Sequence, residues 1–238
     1  MIDNYYDQIF ISDIHLSTWA CNDKDIRDLW ANFYSPTLYL VGDCVDLWRL
    51  KTIELWPPSH TDVIIDFIQL LNDKIDIKYI VGNHDEFLKN FIGNFSNLSF
   101  MNEDIIEING KKLLVTHGHK FDFSIRYFKW FGVWLTGIYD LIKRRENKSF
   151  SMNEYLERNK NKTNKFENIA MEYIKKKGLD GIICGHTHKP NLFIKNNLIY
   201  ANTGDFVTNS SFITQKNNCL TLWAYNHGVS SKIQSIKL

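Results

Sequence analysis

The chain is poor in the residues that stabilise small secreted domains, with four cysteines and four prolines among its 238 residues. The cysteines are widely scattered and form no Cys-x-x-Cys pair, and a chain of this length can bury a core without disulfide bridges. Reduced thiols and a cytoplasmic location are therefore expected. An excess of charge is also lacking, because 28 Lys and Arg residues offset 27 Asp and Glu residues. This balance predicts no nucleic-acid partner.

Long apolar segments are missing as well. The most apolar stretch, 127–142, is shorter than the roughly 18 residues of a membrane-spanning helix and contains Lys129 and Asp140. The first residues lack the basic and apolar regions of a secretory signal. Neither an internal repeat nor a linker rich in Pro or Gly divides the chain, so we expect a single domain over residues 1–238.

Short β-branched runs, each followed by a polar or Gly-bearing loop, predict buried strands. Five such runs lie at 9–11, 38–41, 79–81, 113–115 and 181–184. Between several of them, apolar residues recur at helical spacing, at 25–33, 62–71 and 166–177. This arrangement predicts an α/β fold, in which ligands bind beyond the carboxyl ends of the strands. Further strands, which favour antiparallel pairing in a second sheet, are expected at 198–202, 220–225 and 230–236.

Residues 121–165 interrupt this pattern and predict an inserted helical cap. The segment begins with aromatic residues and then becomes charged. Its aromatic stripe, which includes Phe123, Tyr127 and Trp130, either packs inside the cap or contacts lipid. The second alternative arises because aromatic residues flanked by Lys and Arg suit a membrane interface.

Histidines concentrate at the ends of the predicted strands. Six of the eight lie in these loops, namely His15, His84, His117, His119, His186 and His188. The same loops contain Asp13, Asp43, Asn83 and Asp85. Carboxylate oxygens and neutral imidazoles together suit divalent metals such as Mn²⁺, Fe²⁺ or Zn²⁺. The two-residue spacing of Asp13 and His15 places both side chains on one face, and a carboxylate such as Asp43 can bridge two ions.

Five motifs occur in order along the chain: Asp13-x-His15, Gly42-Asp43, Gly82-Asn83-His84-Asp85, His117-Gly118-His119 and Gly185-His186-x-His188. In this combination the chain resembles the calcineurin-like metallophosphoesterase superfamily. The resemblance implies a four-layer α-β-β-α sandwich, in which two mixed sheets are flanked by helices. It also implies two divalent metal ions, with Mn²⁺ expected and Fe²⁺ or Zn²⁺ as alternatives.

Roles for individual residues are implied by the same resemblance. The predicted ligands of the first ion are Asp13, His15 and His188. Those of the second ion are Asn83, His117 and His186. Asp43 would bridge the two ions. His84 would contact the substrate phosphate and act as a catalytic group on the leaving oxygen, oriented by Asp46.

A finer resemblance is to the UDP-2,3-diacylglucosamine hydrolase branch of this superfamily. The motifs that carry it lie at 39–51, 82–88, 180–188 and 200–207. Members of the branch cleave the pyrophosphate of a nucleotide-linked diacylated sugar in lipid A synthesis, releasing UMP and a lipid monophosphate. The resemblance implies such a substrate. If the aromatic stripe contacts lipid and does not only pack inside the cap, we expect peripheral contact with the inner face of the cell membrane. The chain departs from the branch at His84, where its best-studied enzymes have Arg, and at His119, where many relatives have Asp.

Several positions are candidates for contacting the substrate: Trp48, Arg49, Asn83, His84, His119, Phe123, Tyr127 and Trp130. For Trp48 and Arg49, phosphate recognition competes with loop packing, and His119 either supports the site or adds a phosphate contact. Asp85 is expected to stabilise its loop. Two alternative functions stay open: a metal-dependent phosphomonoesterase or phosphodiesterase acting on another small nucleotide or phospholipid, and a binding module without catalysis. The complete set of predicted ligands disfavours the second.

Overall fold

A computed structural model gives the fold of the chain. It describes residues 4–47, 50, 56–122, 165–226 and 228–238. The predicted cap at 121–165 falls outside the described residues except at its ends. The predicted substrate contacts outside them are Trp48, Arg49, Phe123, Tyr127 and Trp130.

Thirteen strands lie within the described residues. The first seven are β1 (Gln8–Ile11), β2 (Thr37–Val41), β3 (Asp76–Ile80), β4 (Gly93–Phe95), β5 (Leu98–Met101), β6 (Glu103–Ile108) and β7 (Lys111–Thr116). The others are β8 (Gly181–Cys184), β9 (Asn191–Lys195), β10 (Leu198–Asn202), β11 (Ser211–Lys216), β12 (Cys219–Asn226) and β13 (Val229–Lys237). All five strands predicted ahead of the polar loops are present.

These strands form two mixed sheets. The larger sheet has the order β13-β12-β11-β1-β2-β3-β5-β4, and the smaller sheet has the order β6-β7-β8-β10-β9. Pairing is parallel from β1 through β2 and β3 to β5, and from β7 through β8 to β10. The carboxyl ends of the parallel strands therefore lie along one edge of each sheet, where polar loops can converge.

Helices cover the outer face of each sheet. Helix α1 (Asp23–Asn32) and helix α2 (Pro58–Asn72) pack on the larger sheet through residues such as Leu29 and Val63. Helix α3, which includes 165–176, packs on the smaller sheet. All three helices coincide closely with the segments predicted from apolar spacing. Within the described ranges, every helix is too short or too polar to cross a lipid bilayer.

Alternation of side chains along the strands separates three apolar layers. In β7, Val115 faces the space between the sheets, whereas Leu114 faces α3. In β1, Phe10 faces the intersheet space, while Ile9 and Ile11 face α1 and α2. Because successive side chains of a strand point to opposite faces, the central strands of both sheets are buried on both sides. This is the four-layer α-β-β-α order that the motif resemblance implies.

The C-terminal strands correct one expectation. β10 lies in the smaller sheet, parallel to β8, whereas β12 and β13 form a hairpin on the larger sheet. They therefore do not make a second sheet together. The physical reason is β11, which the apolar pattern did not reveal. β11 pairs antiparallel with β1 on one side and with β12 on the other, so the β12–β13 hairpin extends the larger sheet.

The intersheet layer predicts a sharp difference between two neighbouring isoleucines of β6. Ile106 is 7% exposed and packs between the sheets, whereas Ile105 is 55% exposed. We expect Ile106→Ala to lower the free energy of unfolding by about 2–5 kcal/mol, because it leaves a cavity. Ile105→Ala, the matched control, should cost about 1 kcal/mol or less. Urea denaturation measures both, and equal losses would contradict the assigned facing of β6.

Candidate metal centre

Five loops at the carboxyl ends of parallel strands form one site. They follow β1, β2, β3, β7 and β8, and they carry all seven predicted metal ligands. Backbone bonds hold the first two loops side by side: the Asp13 N–H donates to the Gly42 carbonyl at 3.0 Å, and the His15 N–H donates to the Asp43 carbonyl at 3.0 Å. The loops after β1 and β2 are therefore fixed to each other independently of their side chains.

Five site residues have left-handed backbone conformations. Their φ angles are 51° for Asp13, 54° for His15, 54° for Asp43, 70° for His186 and 56° for His188. This conformation costs residues with a Cβ atom about 1–2 kcal/mol each. Such strain persists where the surrounding structure fixes the chain, and it is typical of functional sites.

The first cluster contains the three residues predicted to hold the first ion. His188 Nε2 lies 3.2 Å from Asp13 Oδ1 and 3.2 Å from His15 Nε2. His15 Nε2 lies 3.8 Å from Asp13 Oδ1. One carboxylate oxygen and two imidazole nitrogens thus face a common point, as ligands of a divalent cation would.

The second cluster contains Asp43, His117 and His186, whose ligand atoms lie within 4.8 Å of one another. Asp43 Oδ2 is 3.0 Å from His117 Nε2, while Asp43 Oδ1 accepts the His84 backbone N–H at 2.8 Å. Oδ2 is therefore the oxygen that faces the imidazoles. Asn83 is next to His84 in the chain, and its ligand role stays a prediction. The bridging role of Asp43 stays a prediction.

Orphaned polar atoms indicate that cations fit here. Six buried side-chain atoms have no hydrogen-bond partner among the described residues, and three of them are Asp13 Oδ1, Asn83 Oδ1 and His117 Nε2. Buried polar atoms are normally paired, and these three belong to predicted ligands from both clusters. An amide oxygen, carboxylate oxygens and imidazoles are a suitable ligand set for Mn²⁺, Fe²⁺ or Zn²⁺. The residues thus fit two divalent ions.

Each predicted histidine ligand has a partner on its second ring nitrogen. His15 Nδ1 is 2.9 Å from Asp46 Oδ1, and His117 Nδ1 donates to the Val41 carbonyl at 2.9 Å. The remaining two face carboxylates: His188 Nδ1 is 3.3 Å from Asp205 Oδ2, and His186 Nε2 is 3.4 Å from Asp122 Oδ2. Such partners orient metal-binding histidines and fix their tautomers.

Charge complementarity inside the site is strong. Burial alone would raise the pKa of Asp43, but His117, His84 and His15 lower it well below its usual range. Burial alone would lower the pKa of His117, yet Asp43 and Asp13 raise it to about 9. The carboxylates therefore stay ionised and attract positive charge, whether a proton or a cation.

Asp46 contacts two histidines. Its Oδ1 lies 2.6 Å from His84 Nδ1, as expected for an orienting group, and 2.9 Å from His15 Nδ1, which was not expected. Burial lowers the pKa of His84, but the hydrogen bond to Asp46 and the charges of Asp43 and Asp46 raise it overall. The structure brings His84 and Asp46 together; their catalytic roles stay predictions.

His119 lies at the edge of the second cluster. Its ring centroid is 5.6 Å from that of His117, and its buried Nδ1 has no partner among the described residues. Burial, together with His117, His186 and Lys89, lowers the pKa of His119 to about 4. It is therefore a neutral group beside the site.

Buried carboxylates outside the ligand set hold the loops. Asp85 is fully buried and accepts hydrogen bonds from Gly82 N at 2.6 Å, Cys44 N at 3.0 Å and Tyr79 Oη at 2.6 Å. It joins the loops after β2 and β3, which agrees with the stabilising role expected for it. Two contacts were not predicted, that of Asp122 with His186 and that of Asp205 with His188. Neither contact follows from a spacing in the sequence.

Close packing at Gly82 generates a test. A Cβ atom there would overlap Asp43 Oδ1 and lie 2.9 Å from Asp43 Cγ. We expect Gly82→Ala to displace the Asp43 carboxylate and weaken Mn²⁺ binding by roughly tenfold or more, since overpacking typically costs about 1–3 kcal/mol. Isothermal titration calorimetry measures this. Gly178→Ala is the control: nothing lies within 4 Å of a Cβ atom there, and although its φ of 66° lowers stability by about 1–2 kcal/mol, the folded variant should bind Mn²⁺ normally. Equal binding by both variants would contradict the site geometry.

Residues 8–190 match the family model described as calcineurin-like phosphoesterase. The chain is 25% identical over 229 residues to UDP-2,3-diacylglucosamine hydrolase of Vibrio atlanticus (strain LGP32), covering 86% of this chain and 91% of that protein. It is 29% identical over 118 residues to the protein of the same name from Stenotrophomonas maltophilia (strain R551-3), covering 46% and 45%.

Solved structures share the fold. The phosphoesterase YfcE from E. coli has a TM-score of 0.54 at 18% identity, covering 96% of this chain and 97% of that one. Vacuolar Protein Sorting 29 from Cryptosporidium parvum has a TM-score of 0.51 at 14% identity, covering 97% of both. These likenesses concern the fold alone.

The family model spans most of the chain, and with the two ligand clusters it leads to one conclusion: the chain belongs to the calcineurin-like phosphoesterase family and is a metal-dependent phosphoesterase.

Proposed function

We propose that the protein hydrolyses the pyrophosphate bond of UDP-2,3-diacylglucosamine, or of a related nucleotide-sugar lipid, to give UMP and a lipid monophosphate. The observation that carries the proposal is the convergence of two ligand clusters beside His84 and Asp43. In the reaction, water adds to one phosphorus, the bond from that phosphorus to the bridging oxygen breaks, and the second phosphate leaves. Two divalent cations, when bound, would generate the nucleophile and neutralise charge on the phosphate.

The ligand roles of this proposal follow the two clusters. Asp13, His15 and His188 would hold the first ion. Asn83, His117 and His186 would hold the second. Asp43, whose Oδ2 is turned toward His117, would be shared by both ions. Mn²⁺ is the expected metal, with Fe²⁺ and Zn²⁺ as alternatives of the same ligand preference.

His84 acts on the leaving oxygen in this scheme. Its Nδ1 faces Asp46 at 2.6 Å, so its Nε2 is directed to the other side of the ring, 4.0 Å from Asp43 Oδ2. A carboxylate only accepts hydrogen bonds, so Nδ1 carries a hydrogen. A protonated Nε2 can then donate to a phosphate oxygen and pass its proton to the leaving group.

A lipid-bearing substrate is supported by two observations. Both curated relatives carry the name UDP-2,3-diacylglucosamine hydrolase. In addition, Phe87 and Phe91 follow His84 closely in a short 3-10 helix, are 53% and 45% exposed, and stack edge to face at 5.8 Å. Exposed aromatic side chains beside a polar site suit a ligand with an acyl chain. The predicted cap and its aromatic residues belong to the same proposal, together with peripheral contact at the membrane.

Product analysis tests the reaction. With Mn²⁺ and UDP-2,3-diacylglucosamine, we expect mass spectrometry to detect UMP and the lipid monophosphate. Asp43→Ala should reduce product below detection, because the residue faces both clusters. Asp73→Ala, at the exposed end of α2, should match the wild type. If Asp43→Ala retained activity, Asp43 could not be an essential metal ligand, and the proposed metal centre would be wrong.

A second candidate function is a phosphodiesterase or phosphomonoesterase acting on another small nucleotide or phospholipid. The observation in its favour is His84, which replaces the Arg of the best-studied enzymes in the branch. Parallel assays with bis-p-nitrophenyl phosphate and p-nitrophenyl phosphate separate the two candidates. Rapid cleavage of either, without release of UMP from the lipid nucleotide, would favour the second.

The role of His84 predicts a dependence on the leaving group. With a pyrophosphate or alkyl ester, His84→Ala should lower kcat by about 10²–10⁴-fold, the usual contribution of general acid catalysis. With bis-p-nitrophenyl phosphate the loss should be much smaller, because p-nitrophenolate leaves readily without a proton. Comparing kcat for both substrates in wild type and variant measures the difference. An equal loss on both substrates would indicate that His84 binds the phosphate but does not protonate the leaving oxygen.

A further inference from the structure

The loop after β10, whose first residues belong to the motif at 200–207, supports the first ligand cluster. Asp205 lies beyond residues 8–190, which the family model matches, and is fully buried. Its Oδ2 lies 3.3 Å from His188 Nδ1. The same loop contacts the backbone of His188, since Asn209 Nδ2 donates to the His188 carbonyl at 2.9 Å. The loop after β10 therefore contacts both the imidazole ring and the backbone carbonyl of His188, a predicted ligand.

Asp205 is itself rigidly placed. Its Oδ1 accepts the backbone N–H groups of Val207 at 2.9 Å, Thr208 at 2.6 Å and Asn209 at 3.0 Å. Its Oδ2 accepts from Thr208 Oγ1 at 2.8 Å and from Asn209 Nδ2 at 3.0 Å. These bonds leave the carboxylate no freedom to rotate, so Oδ2 stays directed at His188.

The same loop also touches a second ligand of the cluster. The backbone N–H of Phe206, next to Asp205, donates to the Asp13 carbonyl at 3.1 Å. The position of Asp205 is therefore fixed relative to both Asp13 and His188. Because the Asp205 carboxylate is fixed in this way, it can hold the imidazole ring of His188 in one orientation.

Both ring nitrogens of His188 face carboxylates, Nδ1 that of Asp205 and Nε2 that of Asp13. A carboxylate accepts but does not donate, so the fixed carboxylate of Asp205 keeps a hydrogen on Nδ1 and leaves Nε2 as the nitrogen that a cation would bind. Nε2 is the atom that faces Asp13 Oδ1 and His15 Nε2, at 3.2 Å from each. We propose that Asp205 is a positioning residue of the metal centre, which sets the tautomer and orientation of His188 for the first ion. This inference rests on the dinuclear centre of the proposed function.

Asp205→Asn tests the proposal with little change of shape. The amide oxygen can keep the three backbone N–H groups that Oδ1 now accepts. The amide NH₂ then replaces Oδ2 and donates to His188 Nδ1, which forces the hydrogen of the ring onto Nε2 and blocks the metal-facing lone pair. We expect the affinity for one of two Mn²⁺ ions to fall by about 10–100-fold, the usual effect of removing such a partner.

Thr208→Val is the matched control. It removes the bonds from Thr208 Oγ1 to Asp205 and so loosens the same loop, but it leaves the contact with His188 intact. Isothermal titration of the metal-free full chain with MnCl₂ gives the affinity of each ion for wild type and both variants. We expect Thr208→Val to bind both ions like the wild type. The activity of Asp205→Asn should recover as the Mn²⁺ concentration is raised.

If Asp205→Asn does not fold, a measurement on the wild type alone still tests the proposal. In the Zn²⁺-loaded, ¹⁵N-labelled protein, NMR should show the hydrogen of His188 on Nδ1. Its presence on Nε2 would overturn the proposal, as would unchanged binding of both ions by Asp205→Asn or an equal loss in Thr208→Val.

The outcomes distinguish this proposal from the proposed function. A wild type that binds no Mn²⁺ would overturn the dinuclear centre and this inference with it. A wild type that binds two ions, but releases no UMP from the lipid nucleotide, would reject the substrate. In that case a selective loss of one ion in Asp205→Asn would still support the role of Asp205.

Discussion

Two buried carboxylates set the main physical constraint on this protein. Asp13 and Asp43 are 0% and 2% exposed, and each lowers the other's tendency to ionise. A buried anion without a partner costs several kcal/mol, so the site must supply positive charge from elsewhere. Imidazoles from three other loops surround the two carboxylates, and the orphaned ligand atoms indicate that cations complete the balance. The arrangement of the loops follows from this requirement.

Such a site needs side chains that do not move, and the fold provides them by an outer set of hydrogen bonds. Val41 belongs to β2, and its carbonyl holds His117. Asp85 ties the loop after β3 to the loop after β2 through Gly82 and Cys44. Backbone bonds from Asp13 to Gly42 and from His15 to Asp43 hold three of the five residues with left-handed conformations. Strain at the ligands is thus compensated by regular hydrogen bonding in the sheets behind them.

The sequence allowed the loops of the site to be predicted better than the contacts that support them. Asp13 and His15 follow an apolar run, and this places them in a loop at the end of β1, but the left-handed conformations that bring their side chains together were not predictable from strand periodicity. Their roles as ligands were predicted from the motif resemblance. The helices were also predictable from apolar spacing. The contact of Asp205 with His188 and the placement of β11 beside β1 depend on tertiary pairing between distant segments, which leaves no periodic trace. The four-layer order came from the motif resemblance and not from the periodicity of any single element.

Asp46 links His15, a predicted ligand of the first ion, to His84, the proposed contact of the leaving oxygen. One oxygen of Asp46 accepts from both His15 Nδ1 and His84 Nδ1, at 2.9 and 2.6 Å. A cation bound at His15 would strengthen the hydrogen bond from His15 to Asp46 and would leave less negative charge on Asp46 for His84. An imidazole at position 84 would respond to this change through its pKa, whereas a guanidinium stays charged at physiological pH and transfers no proton. In the proposed function, a His at this position, where the resembling branch has Arg, would therefore allow proton transfer in place of a fixed charge.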